Sequence, residues 1–310
     1  MTPVDLVTGA FSYSGAHIAE RLLEAGRQVR TLTFHPERPH PLRPRVQASP
    51  YRFDDPDALA RSLEGVTTLY NTYWVRFDHG ATSLEQAVAH SGALFRAARR
   101  AGVQRIVHIS IANPSIDSPL PYFRGKALVE DALAHAGTPY AIVRPTWIFG
   151  GEHDVLVNNI AWILRHTPVF AVPGNGAYRV QPVHVEDLAR ICIDAGRSDG
   201  NQVIDAAGPE TMTFDELVGL VRRATGARAL VVHVPATIMG LAARAVGLVV
   251  RDVVLTPDEI DGLMAGLLVS HEPPRGEIAF SAWLGDHRAS VGRRYANELR
   301  RHFPSQARPG

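Results

Sequence analysis

The chain has 310 residues, of which 45% are hydrophobic, 7% aromatic and 20% charged. These are ordinary values for a globular protein, so they exclude a disordered or fibrous chain. The formal net charge of +1 argues against a polybasic protein that coats nucleic acid or a membrane surface. Cys192 is the only cysteine, so the chain can form no internal disulfide and no cysteine-ligated zinc site. We therefore expect a cytoplasmic protein.

No segment of the sequence predicts stable insertion into a membrane. The N-terminus lacks the basic region and apolar run of a signal peptide. The most apolar stretch, residues 236–250, contains Arg244 and is too short to span a bilayer. It predicts a buried or half-buried helix, with an interfacial membrane helix as the alternative.

Strand and helix patterns alternate over the first 145 residues. Predicted strands cover residues 4–8, 29–34, 51–53, 66–71, 105–110 and 140–144. Predicted helices cover residues 14–25, a segment that begins at Asp55-Pro56, and residues 82–101 and 122–136. Strands joined by helices pair in parallel through right-handed crossovers. The expected fold class is α/β, a doubly wound parallel (Rossmann) sheet with its ligand site at the carboxyl ends of the strands.

The alternation weakens after Gly150. We therefore predict an NAD(P)-binding domain over residues 1–150 and a smaller, mostly helical substrate region over 151–310. Within the second region, about 179–206 are expected to return to the Rossmann sheet.

A glycine turn joins the first strand to the first helix. Gly9 permits the tight turn, Gly15 lets helix and strand approach, and the helix N-terminus offers N–H groups to a diphosphate. Ser12 takes the position of the usual middle glycine, and Tyr13 follows it. The pattern predicts dinucleotide binding, and a structural turn without a nucleotide is the alternative.

The end of the second strand bears on the choice between NAD and NADP. The NAD fingerprint places an acidic residue there, but this chain has none in the expected position. His35 and Arg38 could instead meet a 2′-phosphate, which favours NADP over NAD. Asp54 and Asp55 follow the third strand, on the side expected for the adenine, and Asp55 could equally be a helix cap.

Tyr122 and Lys126 lie four residues apart at the start of a predicted helix, which puts both side chains on one face. An ammonium beside a phenol favours the phenolate, so this tyrosine could exchange a proton with a carbonyl or alcohol oxygen. Lys126 is the only lysine in a chain with 31 arginines. Ser110 ends the preceding strand and could orient the same oxygen. An ordinary exposed pair is the alternative.

Together these residues resemble the short-chain dehydrogenase/reductase superfamily, in particular the extended and atypical branches with the NAD-dependent epimerase/dehydratases and NmrA-like proteins. The resemblance covers about residues 4–225. It implies a catalytic set of Ser110, Tyr122 and Lys126. It also implies a cofactor site lined by Gly9, Ser12, Tyr13, Asp54, Asn71 with its neighbour Thr72, Lys126, Pro145 and Thr146. Ala87 departs from the family, since many members have an asparagine there.

Aromatic residues follow the fourth and sixth strands, where the loops of this fold overhang the nicotinamide. Tyr73, Trp74, Phe77 and Trp147, together with Asn113, are candidates for the substrate site, and core packing is the alternative. No zinc-protease spacing of histidines occurs, so no metal is expected.

The sequence thus predicts an NAD(P)-dependent oxidoreductase that acts on a carbonyl or secondary alcohol of a small, apolar or aromatic substrate. A non-catalytic NAD(P)-binding regulator or accessory subunit is one alternative, and a nucleotide-sugar epimerase or dehydratase is another. A small-molecule substrate is the expected partner, nucleic acid is not, and the oligomeric state stays open, with a homodimer as one candidate.

Overall fold

The computed structural model of the protein describes residues 3–80, 82–151 and 154–302. The strands are β1 (Val4–Val7), β2 (Gln28–Thr33), β3 (Val46–Pro50), β4 (Val66–Asn71), β5 (Arg105–Ile109), β6 (Tyr140–Pro145), β7 (Trp147–Phe149), β8 (Val169–Pro173), β9 (Arg179–Val180), β10 (Pro182–His184), β11 (Gln202–Ala206), β12 (Met212–Thr213) and β13 (Leu230–Val234).

The helices are α1 (Tyr13–Glu24), α2 (Pro56–Ser62), α3 (Leu84–Arg100), α4 (Pro121–Ala134), α5 (Leu156–His166), α6 (Val185–Arg197), α7 (Phe214–Thr225), α8 (Ala236–Val250), α9 (Pro257–Met264), α10 (Phe280–His287) and α11 (Glu298–His302). The described residues form two compact units. We call the first, residues up to Pro145 with Val185–Ala206, the Rossmann unit, and the rest the second unit.

The Rossmann unit is built on a seven-stranded parallel sheet in the order β11-β6-β5-β4-β1-β2-β3. Both faces of such a sheet are covered, and β5 is accordingly buried at all five positions. The order of β1 to β6 is that of a Rossmann fold, with the direction of winding reversed between β1 and β4. The predicted doubly wound fold is confirmed.

A single apolar cluster packs α2, α3 and α4 against this sheet, with Leu6, Leu69 and Ile106 from the strands and Phe95 and Leu133 from the helices. Because these side chains are at most 1% exposed, the strands that carry them are rigidly held. The carboxyl ends of β1, β4 and β5 are therefore a firm base for a site.

The third strand lies earlier in the chain than the sequence predicts. It spans Val46–Pro50, whereas the predicted strand at residues 51–53 is wrong. Alternating aromatic residues suggested a strand there, but the rings of Tyr51 and Phe53 stack on each other in the loop, with centroids 4.8 Å apart. Pro50 obscured the true strand, and it is tolerated because β3 is the edge of the sheet.

The second unit has its own core. Three two-stranded pairs, β7 with β10, β8 with β13, and β9 with β12, surround a cluster that includes Phe149, Leu217 and Phe280. A capping box at Thr213 caps α7. Local patterns did not predict β7, β8 or β13, because each is paired with a strand distant in sequence.

Candidate functional site

The turn between β1 and α1 has the geometry of a dinucleotide-binding turn. Gly9 has a φ of +65°, which favours glycine. A Cβ on Gly15 would lie 2.2 Å from the carbonyl oxygen of Gly9, so only glycine lets α1 approach the strand this closely. The Ser12 hydroxyl donates to the same oxygen at 2.6 Å and does not cap α1.

The beginning of α1, at Tyr13, is suited to an anion. The first turn contains no acidic residue, and no side chain caps the helix at Ser12. The partial positive charge of a helix N-terminus is therefore not offset by a neighbouring carboxylate there. This arrangement fits a diphosphate, since a helix N-terminus offers backbone N–H groups to an anion.

A buried hydrogen-bond network holds the carboxyl ends of β1, β4 and β5 together. The Thr8 hydroxyl donates to Asn71 Oδ1 at 3.1 Å and accepts from the backbone N–H of Thr72 at 2.7 Å. Asn71 Nδ2 lies 3.0 Å from Nδ1 of the fully buried His108. The Asn71 side chain thus holds the loop after β4 in place from within the fold, and Thr72 is the first residue of that loop.

The sequence analysis did not single out Thr8 or His108. His108 is on β5, and burial together with the charge of Lys126 holds its pKa well below the usual value. The imidazole therefore stays neutral. No local pattern distinguishes such a histidine, because its partners lie on another strand.

Trp74 brings the predicted catalytic pair into one cluster. The Lys126 ammonium lies 4.6 Å from the centroid of the Trp74 ring, and the Tyr122 ring meets it edge-on with centroids 5.8 Å apart. A Cβ on Gly125 would come within 3.0 Å of the same indole. The glycine in this helix thus makes room for Trp74 over α4.

Lys126 is almost entirely buried, with 3% of its surface exposed. Its Nζ donates to the carbonyl oxygen of Ile109 at 2.9 Å. Burial lowers the pKa of Lys126 to about 7, although Glu130 opposes the shift. Glu130 is itself held by Arg144 through two hydrogen bonds of 3.0 and 2.5 Å.

Ser110 follows Ile109 at the end of β5, where its backbone N–H donates to Val143. Its side chain is 4% exposed, and Oγ has no hydrogen-bond partner among the described residues. The indole nitrogen of Trp74 is also buried without such a partner. Buried polar atoms in native proteins are nearly always paired with protein, ordered water or a ligand.

The predicted residues for the adenosine side lie on the loops after β2 and β3. His35 and Arg38 are half-buried on one turn, in which the N–H of Arg38 donates to the carbonyl oxygen of His35. Asp54 is exposed. Asp55 caps α2 by accepting from the backbone N–H groups of Asp57 and Ala58, which supports its alternative interpretation as a helix cap.

Aromatic rings fill the space between these loops and the end of β4. Tyr73 lies within 6.0 Å of the ring centroids of Phe34, Tyr51 and Phe53, and its hydroxyl is 2.9 Å from His90 Nδ1. Tyr73 is thus part of this aromatic cluster, whereas Trp74 turns toward α4.

The remaining candidates are dispersed. Phe77 is half-buried beside Arg76, Asn113 has a φ of +53°, and Pro145 ends β6. Thr146 and Trp147 belong to the second unit, where the Thr146 hydroxyl donates to Gln181 and the Trp147 ring packs near Phe214. The described residues contain no group of acidic, histidine or cysteine side chains that could hold a metal ion.

The parallel sheet and the glycine turn at its switch point define a dinucleotide-binding Rossmann protein. Residues 9–159 match the protein family described as NAD(P)H-binding. This match and the Rossmann fold agree with the predicted resemblance to the short-chain dehydrogenase/reductase superfamily.

Two curated proteins illustrate the range of relatives. Subunit 9 of the NADH dehydrogenase [ubiquinone] 1 alpha subcomplex, mitochondrial, from Arabidopsis thaliana is 26% identical over 231 residues, which are 70% of this chain and 57% of the relative. Ceramide reductase from Caulobacter vibrioides is 29% identical over 59% of this chain and 57% of its own length. The chain therefore matches less than two thirds of either protein.

Among solved structures, the triphenylmethane reductase of Citrobacter sp., complexed with NADP(H), superposes with a TM-score of 0.75. The sequences are 18% identical, and the match covers 92% of this chain and 99% of the reductase. This likeness shows a shared fold. Within the described part of the chain, no helix has the length and apolar character to cross a membrane, and a cytoplasmic location stays a prediction.

Proposed function

We propose that the protein is an NAD(P)-dependent oxidoreductase that acts on a carbonyl or secondary alcohol of a small, apolar or aromatic substrate. The observation that carries the proposal is the cluster of side chains at α4. Trp74 contacts both Tyr122 and Lys126, and the Ser110 hydroxyl ends the neighbouring strand without a partner in the described fold.

Each residue of the cluster has a proposed role. Tyr122 is the acid/base that gives a proton to, or takes it from, the substrate oxygen. Ser110 donates a hydrogen bond to that oxygen and so holds it beside the phenol. One N–H of the Lys126 side chain donates to the Ile109 carbonyl, which leaves up to two N–H groups for Tyr122 and a ribose hydroxyl.

The dinucleotide, when bound, supplies or accepts the hydride. Gly9, Ser12, Tyr13 and Gly15 would hold its diphosphate at the start of α1, where the backbone is open to an anion. The other proposed contacts are His35, Arg38, Asp54, Asp55, Asn71, Thr72, Pro145 and Thr146. NADP is favoured over NAD because no acidic residue is in the expected position directly after Thr33, and Arg38 lies on the next turn.

Aromatic side chains support an apolar or aromatic substrate. The Trp74 indole adjoins the proposed acid/base, and its buried nitrogen can donate to a polar atom of the ligand. Tyr73, Phe77, Asn113 and Trp147 are the remaining substrate contacts of the proposal.

Substitution of Tyr122 tests the proposal. Tyr122→Phe should retain cofactor binding and lose about 10²–10⁴ in rate, the range for a positioned acid/base. Turnover would be measured with NADPH and NADH against aldehydes, ketones and quinones. Tyr140→Phe is the matched control, because Tyr140 lies at the amino end of β6, opposite to the carboxyl ends. Equal rates for both variants and the parent would contradict the role of Tyr122.

A non-catalytic accessory subunit is the second candidate. It is supported by the similarity to the mitochondrial NADH dehydrogenase subunit, whose name describes a component of a larger assembly. The Lys126–Ile109 hydrogen bond would then serve the fold alone. Stoichiometric binding of NADPH without turnover of any substrate in the panel would favour this candidate.

A further inference from the structure

We propose that the outward face of α8 docks the protein onto an anionic lipid bilayer. Four large apolar side chains of this helix are exposed: Ile238 at 49%, Leu241 at 66%, Leu248 at 83% and Val249 at 81%. Counted along the chain from Leu241, the other three lie three residues before it and seven and eight residues after it. This spacing puts all four on one side of the helix. Together they form a continuous apolar stripe along the 15 residues of α8.

The side of α8 that faces the protein carries small residues instead. Ala243 and Gly247 are its buried positions, and a Cβ on Gly247 would lie 2.6 Å from the carbonyl oxygen of Asp252. Large side chains outside and small ones inside reverse the usual pattern of a surface helix. The glycine thus makes room for the tight turn that ends α8, while the large hydrophobic side chains of the helix are exposed.

The exposed charges of α8 and of its C-terminal cap are basic. Arg244 lies along the edge of the stripe, Arg251 ends the helix, and both are exposed. The segment 236–250 contains no acidic residue. The next carboxylate, Asp252, is buried and accepts from the Tyr295 hydroxyl and the backbone of Glu298 and Leu299.

An apolar face bordered by arginines matches the boundary between acyl chains and anionic headgroups. Arginine can bury its aliphatic stem beside the stripe while its guanidinium reaches a phosphate. A helix of this length lies in the plane of the interface and does not cross it. The net charge of +1 is compatible with this, because the attraction is local to one helix.

The same charges disfavour a second copy of the chain as the occupant. The stripe from Ile238 to Val249 is centred close to Arg244. A two-fold antiparallel pairing of two α8 helices would therefore bring the two Arg244 side chains together, and like charges in contact oppose association.

Vesicle flotation tests the proposal on the full-length protein. Phosphatidylcholine vesicles with and without phosphatidylglycerol would be compared. The parent should float with the phosphatidylglycerol vesicles and bind less well at high salt. Leu241→Gln and Leu248→Gln should each lower the partition coefficient about tenfold, because each removes a side chain that the membrane buries.

Two further variants separate charge from hydrophobicity. Arg244→Gln should weaken binding about fivefold with phosphatidylglycerol present, and leave the weak binding to phosphatidylcholine unchanged. Leu128→Gln is the matched control, since Leu128 is a 43% exposed leucine on another helix, α4, and should bind as the parent does. Thermal unfolding and NADPH binding would confirm that each variant is folded.

Three results would overturn the proposal. The first is a parent protein that does not float with phosphatidylglycerol vesicles. The second is an equal loss of flotation in Leu128→Gln and Leu248→Gln. The third is a dimer in light scattering that Leu241→Gln or Leu248→Gln converts to monomers, because the stripe would then be an interface between copies.

Discussion

Gly15→Ala places the smallest possible side chain at the tightest point of the dinucleotide-binding turn. The added Cβ would lie 2.2 Å from the carbonyl oxygen and 2.8 Å from the carbonyl carbon of Gly9. A relaxed carbon–oxygen contact needs about 3.3 Å, so α1 must move away by about 1 Å. Both obstructing atoms belong to the backbone, so no side-chain rotation can relieve the overlap.

The displacement should reduce both stability and cofactor affinity. Overpacking of this kind costs about 1–3 kcal/mol of unfolding free energy. A 1 Å displacement of the N–H groups at the start of α1 should weaken dinucleotide binding at least about tenfold. For comparison, a 1 Å misplacement of groups in an active site can lower the reaction rate about 10²-fold. Gly15→Val, which is branched, should abolish binding.

Gly240→Ala is the matched control for this experiment. Gly240 lies inside α8, and nothing comes within 4 Å of the position of its Cβ. Alanine should therefore stabilise that helix by up to about 1 kcal/mol. Thermal unfolding and calorimetric titration with NADPH and NADH would be measured for both variants. Unchanged affinity and equal melting temperatures in Gly15→Ala and Gly240→Ala would show that the dinucleotide binds elsewhere.

Two other predictions concern charge. Arg38→Ala should weaken NADPH binding by about 1.5–3 kcal/mol, the value of a charge-assisted hydrogen bond, and leave NADH binding unaffected. Equal affinity of the parent for both cofactors would refute the preference for NADP. Burial lowers the pKa of Lys126 from 10.5 to about 7, so the unfolded chain binds the proton more tightly and stability should rise with pH between these values. In urea unfolding, Lys126→Met should not show this rise in stability with pH, and it should be more stable than the parent at pH 7. If the unfolding free energies of the two proteins changed with pH in the same way, the lowered pKa would be contradicted.

Local patterns predicted the Rossmann sheet well because its strands and helices are each defined by nearby residues. Apolar runs such as residues 105–110 and glycine stops at the helix ends mark these elements without reference to the rest of the chain. The error at residues 51–53 has the opposite origin. An alternation of aromatic residues satisfies the strand pattern, but in the loop Tyr51 and Phe53 pack against Phe34 and Tyr73, which are distant in sequence.

The candidate site shows the same division. The four-residue spacing of Tyr122 and Lys126 predicted a shared face, and both side chains do contact the Trp74 ring. The sequence could not predict that Trp74 covers the lysine, nor that His108 orients the Asn71 amide, because these contacts join separate strands and helices. The Glu130–Arg144 ion pair could not be predicted for the same reason.

The lone lysine is explained by packing in either candidate function. At 3% exposure, the Lys126 side chain has the Ile109 carbonyl as its acceptor and the Trp74 face as its cover. A guanidinium carries five donors in a rigid fork and would leave most of them unsatisfied in this place. A lysine is therefore favoured over an arginine here, even in a chain that otherwise uses arginine, so its uniqueness alone does not decide between an enzyme and an accessory subunit.

Ser110 does separate the two functions. Its Oγ is buried without a partner among the described residues, which costs about 1–3 kcal/mol in the ligand-free fold. Ser110→Ala should therefore raise the unfolding free energy by about 1 kcal/mol in either case. If the hydroxyl holds the substrate oxygen, turnover should fall by about 10²-fold, as on removal of one oxyanion donor, with unchanged NADPH affinity. A variant that gains stability and keeps the parent's turnover would exclude Ser110 from the reaction, because a hydroxyl that binds the reacting oxygen cannot be removed without loss of rate.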